Sequence, residues 1–90
     1  MKIEFDAAKN AANERERGLP FDQAAEFDFD SALVEQDSRK DYPEVRYVAI
    51  GYLVSRLHVL CFTGIEGGIR VISFRKANSR EVKIYEQASI

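Results

Sequence analysis

Three strand-forming runs follow one another between Val45 and Arg75 with very little chain between them. Val45 to Leu53, Leu57 to Thr63 and Ile69 to Arg75 are each rich in β-branched and aromatic residues. Only Ser55-Arg56 and Glu66-Gly67-Gly68 separate them as turns. Links this short make hairpins, whereas parallel neighbours need a crossover of a dozen residues or more. The three runs are therefore predicted to form an antiparallel meander. Glu66-Gly67-Gly68 is a good hairpin turn, while Ser55-Arg56 lacks the favoured Asn-Gly or Gly-Gly.

The flanking segments add helices. Met1 to Phe5 alternates, with Ile3 and Phe5 on one face. Asp6 is a suitable N-cap for Ala7 to Arg17, a run of strong helix formers with a small apolar stripe of Ala8, Ala11 and Ala12. Gly18 and Pro20 stop that helix. A second, shorter helix opens at Pro20 or Phe21, turning Phe21, Ala24, Ala25 and Phe27 inward among Asp22, Glu26, Asp28 and Asp30. Ser31 to Asp37 reads as a strand, with Ala32 and Val34 on one face, and Asp37 to Glu44 as a polar loop holding Pro43. After Arg75, Asn78 and Glu81 form an N-x-x-E capping box for a C-terminal helix reaching Gln87. The expected fold is α+β: an antiparallel meander of three or four strands plus an N-terminal strand, two N-terminal helices and a C-terminal helix.

Ninety residues suit one domain, spanning 1–90, and 46% hydrophobic residues suffice for a core. No apolar run is long enough for a transmembrane helix, and no signal peptide is visible at the start. Cys61 is the single cysteine and can form no intramolecular disulfide, which fits a cytoplasmic protein.

Charge is segregated. Residues 1–44 carry six Lys/Arg against twelve Asp/Glu, and residues 45–90 carry seven against three. One basic half keeps nucleic acid open as a partner. The cations concentrate at the last strand–helix junction, where Arg70, Arg75, Lys76, Arg80 and Lys83 meet only Glu81 between Ile69 and Tyr85. Strand alternation puts Arg70, Ile72 and Phe74 on one face and Val71 and Arg75 on the other, unless a bulge re-aims one.

Arg75 is the first candidate for chemistry, because a guanidinium grips phosphate bidentately; an ion pair with Glu81 is the structural alternative. Arg70 has the same two readings. Lys76 and Arg80 suit phosphate positioning. Glu81 could act as a general base, although its capping-box place already accounts for it. Tyr85, one turn later, could relay a proton or stack on a base, or simply belong to the core. His58, the only histidine, is a candidate for general acid or base work by residue type, but it shares a face with Leu60 and Phe62, where a structural role is the alternative. No metal-ligand spacing exists, and Gly67-Gly68 joins two strands, so no phosphate loop opens a helix.

The string from Arg70 to Glu86, RVISFRKANSREVKIYE, resembles the C-terminal signature of the BrnT toxin family. Phe5-Asp6-x-x-Lys9, Asn13-x-x-x-x-Gly18-x-x-Phe21-x-x-Ala24, Arg46-Tyr47-x-Ala49-Ile50-Gly51 and Val59 to Thr63 extend the resemblance over nearly the whole chain. It implies a RelE-like fold and the toxin half of a bacterial type II toxin–antitoxin pair. The implied activity is metal-independent endoribonucleolytic cleavage without a cofactor, leaving a cyclic phosphate. The implied partner is a BrnA-like antitoxin with a ribbon–helix–helix DNA-binding region, which covers the active groove and gives the complex access to operator DNA. Lys9 and Asn13 match the family pattern one helical turn apart and are candidate RNA contacts. Many relatives carry Lys-His-Gly where this chain has Glu16-Arg17-Gly18. Arg17 can bind phosphate, but it cannot exchange protons near neutral pH.

Overall fold

The computed structural model describes residues 1–88. Strand β1 spans Lys2–Phe5 and helix α1 Ala7–Arg17. A 3₁₀ segment covers Phe21–Glu26. Strands β2 (Leu33–Gln36), β3 (Arg46–Leu53), β4 (Arg56–Ile65) and β5 (Gly68–Lys76) follow, then helix α2 over Ser79–Ala88.

The local signals explain most of these boundaries. Asp6 caps α1 by accepting the Lys9 N–H at 2.9 Å. Gly18 ends the helix with φ of 63°, and its N–H donates to the Glu14 carbonyl at 2.8 Å. Asn78 and Glu81 exchange two hydrogen bonds of 2.9 Å, closing the capping box at the start of α2. The segment after Pro20 is one 3₁₀ stretch instead of the expected short α-helix. Phe21 and Ala24 still turn inward, three residues apart, but Ala25 is exposed. Strand β2 is also shorter than the expected Ser31 to Asp37.

The sheet runs β1-β5-β4-β3-β2. β3, β4 and β5 form the meander, and β2 adds to β3 antiparallel. β1, however, pairs with β5 in parallel, so the five-stranded sheet is mixed and the expectation of a purely antiparallel one is corrected. The chain between β1 and β5 is long enough to permit a parallel return. Gly68 makes the approach possible: a Cβ there would lie 1.9 Å from the Lys2 carbonyl oxygen.

A second correction concerns β5. Phe62 pairs with Val71 and Cys61 with Ser73, leaving Ile72 as the extra residue of a bulge. The bulge shifts the alternation by one, so Val71 and Phe74 enter the same core. Arg70, opposite Thr63, and Arg75, opposite Val59, consequently leave the same face of the sheet.

Each face carries its own core. α1 and the 3₁₀ segment cover one face, where Phe21, Ala24 and Phe27 pack on Leu60, Val71 and Phe74, and Ile3 and Phe5 of β1 extend that face. α2 covers part of the other, where Ile50, Leu57, Val59, Ala77 and Tyr85 pack.

Candidate functional site: a cation-lined cavity at the end of the sheet

The ends of α1, β4 and β5 enclose a cavity of about 500 Å³ lined by Arg17, Gly18, Leu19, His58, Arg75 and Lys76. Register brings two of these together, because His58 stands directly opposite Lys76. Arg17 arrives from the other direction, in the last turn of α1. Gly18 turns the chain there, and Leu19 closes the apolar wall.

Asn13 ties the elements together. It is 5% exposed, and its Nδ2 donates to the Leu19 carbonyl at 2.7 Å and to the Phe74 carbonyl at 2.9 Å. Its Oδ1 accepts from Arg17 Nη1 at 2.8 Å. The side chain is thus committed to holding α1 on β5 and aiming Arg17. It is not an open RNA contact.

His58 is buried against the Phe74 ring, with centroids 5.6 Å apart. Its Nδ1 lies 2.8 Å from the Arg56 carbonyl oxygen. A carbonyl only accepts, so Nδ1 is the nitrogen that donates, and in that tautomer the ring's lone pair is on Nε2. Among the described residues no buried side-chain N or O atom lacks a hydrogen-bond partner. Nε2 has no such partner, so it is the ring nitrogen that meets the cavity.

Arg75 is held by Glu81 through two parallel bonds of 2.8 Å. Those bonds raise the guanidinium pKa and hold the Glu81 carboxyl below the ordinary glutamate range. Glu81 also accepts the Asn78 N–H. An ionised carboxylate occupied from two sides is a poor proton acceptor, so its place here is to fix Arg75 and cap α2.

The remaining candidates lie elsewhere. Arg70 is exposed and paired with Glu4 near the opposite end of β5. Lys9 is exposed on α1, two turns before Arg17. Arg80 lines a different groove, beside Glu81 on the α2 face. Tyr85 is buried there, donating to the Ser31 carbonyl at 3.0 Å and meeting Tyr52 edge-on. None of the four lines the cavity.

Leu19 and the Arg56 carbonyl were not visible as parts of a site. The first read as an apolar residue beside a helix stop. The second has no side-chain signal at all; only a His two residues past a hairpin turn hints at it. The Asp37–Arg39 pair was also missed, inside a segment legible only as loop. Arg39 grips Asp37 through two bonds of 2.8 Å and holds that carboxyl well below the usual carboxylate range.

Arg17, held by Asn13, and Lys76 flank the His58 imidazole on one face of the α+β sheet, while Arg75 borders the cavity from the α2 face with its guanidinium on Glu81. The arrangement is a cationic pocket beside a proton acceptor. Among the described residues no group of three or more His, Cys, Asp or Glu could hold a metal ion, and no helix is long and apolar enough to cross a membrane. The family model described as "Ribonuclease toxin, BrnT, of type II toxin-antitoxin system" matches residues 5–81. The chain belongs to the BrnT family of ribonuclease toxins. As a type II toxin family, it implies an antitoxin protein as partner. No curated protein matches the chain.

Proposed function

We propose that this chain is an active, metal-independent endoribonuclease whose reaction runs in the Arg17–His58–Lys76 cavity. The observation that carries this reading is His58 Nε2 facing a cavity that Arg17 and Lys76 also line. RNA supplies its own nucleophile. His58 Nε2 takes the proton of a 2′-hydroxyl, the 2′-oxygen attacks the adjacent phosphorus, and the P–O5′ bond breaks. The departing 5′-oxygen takes a proton from water at the mouth, where Arg17, Gly18 and Lys76 are exposed. The products are a 2′,3′-cyclic phosphate and a free 5′-hydroxyl. Arg17 and Lys76 bind the phosphate, and Arg75, aimed by Glu81, adds to the field that stabilises charge on the phosphorane.

Within this reading the partner is a BrnA-like ribbon–helix–helix antitoxin that forms a hetero-oligomer with the chain and carries it to operator DNA for autoregulation. The setting is cytoplasmic, consistent with the free, buried Cys61. The test is cleavage of an RNA oligonucleotide in excess chelator, with the cyclic phosphate identified by mass. A 2′-deoxy substitution at the cleaved position should abolish the reaction. Activity lost in chelator and restored by a divalent ion would overturn the mechanism.

One observation favours a second reading. Arg17 stands where many relatives carry histidine, which leaves His58 as the chain's single imidazole. A non-catalytic module that binds antitoxin or nucleic acid would retain the cations without needing proton transfer. Growth arrest on inducing the chain alone, relieved by the antitoxin, supports the enzyme; unimpaired growth at confirmed soluble expression supports the module.

A further inference from the structure

The two edges of the sheet differ. β1 shields its edge with charge: Lys2 and Glu4 pair with each other, and Glu4 with Arg70. β2 closes the other side of the sheet, and among the described residues no strand lies beyond it. Its sequence is Leu33-Val34-Glu35-Gln36, with no Lys or Pro to block pairing. Half of its N–H and C=O groups point away from β3, as in any edge strand. Val34 is 44% exposed.

A groove of about 280 Å³ runs beside that edge on the α2 face. Leu33, Val48, Ile50 and Ile84 give it an apolar floor, and Ile84 is 42% exposed. Glu35 stands on its β2 wall. The charged lining of the groove is Glu35, Arg80 and Glu81, with Glu81 already held by Arg75, so Glu35 is the carboxylate left open on the β2 wall. Along the chain around β2, residues 22–41 hold seven Asp/Glu against two Lys/Arg, and all seven acids except Asp37 are exposed. Edge, groove and charge thus select the same occupant.

We propose that the β2 edge is the docking site for an extended segment of the antitoxin, added to the sheet as a sixth strand and alternating apolar with basic side chains. On the α2 face, its apolar residues cover Leu33 and Ile84 and a basic one meets Glu35. On the opposite face, it covers Val34. Backbone hydrogen bonds supply affinity, and alternate side chains supply specificity. This site is separate from the Arg17–His58–Lys76 cavity. The inference rests on the family's antitoxin and not on the ribonuclease chemistry, so the two fail independently.

The experiment measures binding of the purified, co-encoded antitoxin by calorimetry and amide hydrogen exchange. Glu35→Lys and Val34→Lys are each expected to weaken binding at least tenfold, with circular dichroism and melting temperature unchanged. Arg17→Ala and Lys76→Ala are expected to leave it unchanged. Alternate amides within Leu33–Gln36 should become slow to exchange on binding, which reports strand addition in the wild-type chain without any variant. Loss of binding in Arg17→Ala and Lys76→Ala, with β2 amides exchanging as before, would overturn the proposal and place the antitoxin in the cavity. An antitoxin that binds as a helix, protecting α2 and not β2, would overturn it equally.

Discussion

At the scale of single residues, His58 and Asn13 divide the work of the cavity. His58→Gln removes the proton acceptor but keeps a side chain of similar reach. RNA cleavage should fall by roughly 10²–10⁴, the usual contribution of a general base, with little change in melting temperature. Near-normal rates in a folded variant would show that His58 only packs on Phe74. Asn13→Ala strips two buried carbonyls of their donor and frees Arg17. Denaturant unfolding should report a loss on the order of 2 kcal/mol for the unmet groups. Arg75→Ala removes a cation that matters most as charge builds on phosphorus, and a rate loss of about 10²–10³ is expected in single-turnover assays. Glu81→Gln keeps the capping box but loosens Arg75. It should keep most of the activity if Glu81 acts only by positioning.

At the scale of elements, the β3–β4 turn carries visible strain. Val54 has φ of 59° and is 87% exposed, a costly conformation for a β-branched residue. Nothing around it compensates through burial. Val54→Gly should therefore raise stability by about 1 kcal/mol, net of the extra freedom glycine gives the unfolded chain. Thermal melting checks this, and a lower melting temperature would mean that the turn relies on a contact of the Val54 side chain. The same turn positions the Arg56 carbonyl that fixes the His58 tautomer, so Val54→Gly also asks whether turn strain is felt in the site. The helix caps, Gly18 and the Asn78–Glu81 box were legible because each is a local pattern whose partners lie within four residues. The 3₁₀ segment was not, since one turn of 3₁₀ and one turn of α-helix place the same apolar residues inward.

At the scale of the whole molecule, stability should depend on acid pH in a defined direction. Arg75 lowers the Glu81 pKa, and Arg39 lowers that of Asp37. Depressed folded pKa values mean that these carboxylates stabilise the protein above their unfolded pKa values. The contribution is lost as pH falls through the folded ones. The melting temperature should thus hold near neutrality and drop below about pH 4, the ordinary carboxylate range. Glu81→Gln combined with Asp37→Asn should flatten that drop, and an unchanged slope would assign it to other acids. The sheet's remote edge gives a further check. Gly68→Ala would force a Cβ against the Lys2 carbonyl, so β1 should detach while the meander persists.

The sequence alone determined the meander, both ends of α1, the start of α2, the segregation of charge and the cation cluster at the end of β5 and the start of α2. All of these are encoded in residues close together along the chain. Periodicity, turn chemistry and capping act over a few positions and need no partner from elsewhere. Only the tertiary structure decided the parallel β1–β5 pairing, because the two strands lie far apart in sequence and no local signal sets their relative direction. Only tertiary structure decided the bulge at Ile72, which turned Arg70 and Arg75 to the same face. It also sorted the candidate residues. Arg17, His58 and Lys76 come together because α1 lands on the end of β5 through Asn13, while Arg75 turns to Glu81 on the other face. Arg70 and Tyr85, equally plausible as residue types, are taken by Glu4 and by the second core. A site made of side chains from three elements depends on how those elements pack, and packing is a property of the whole chain.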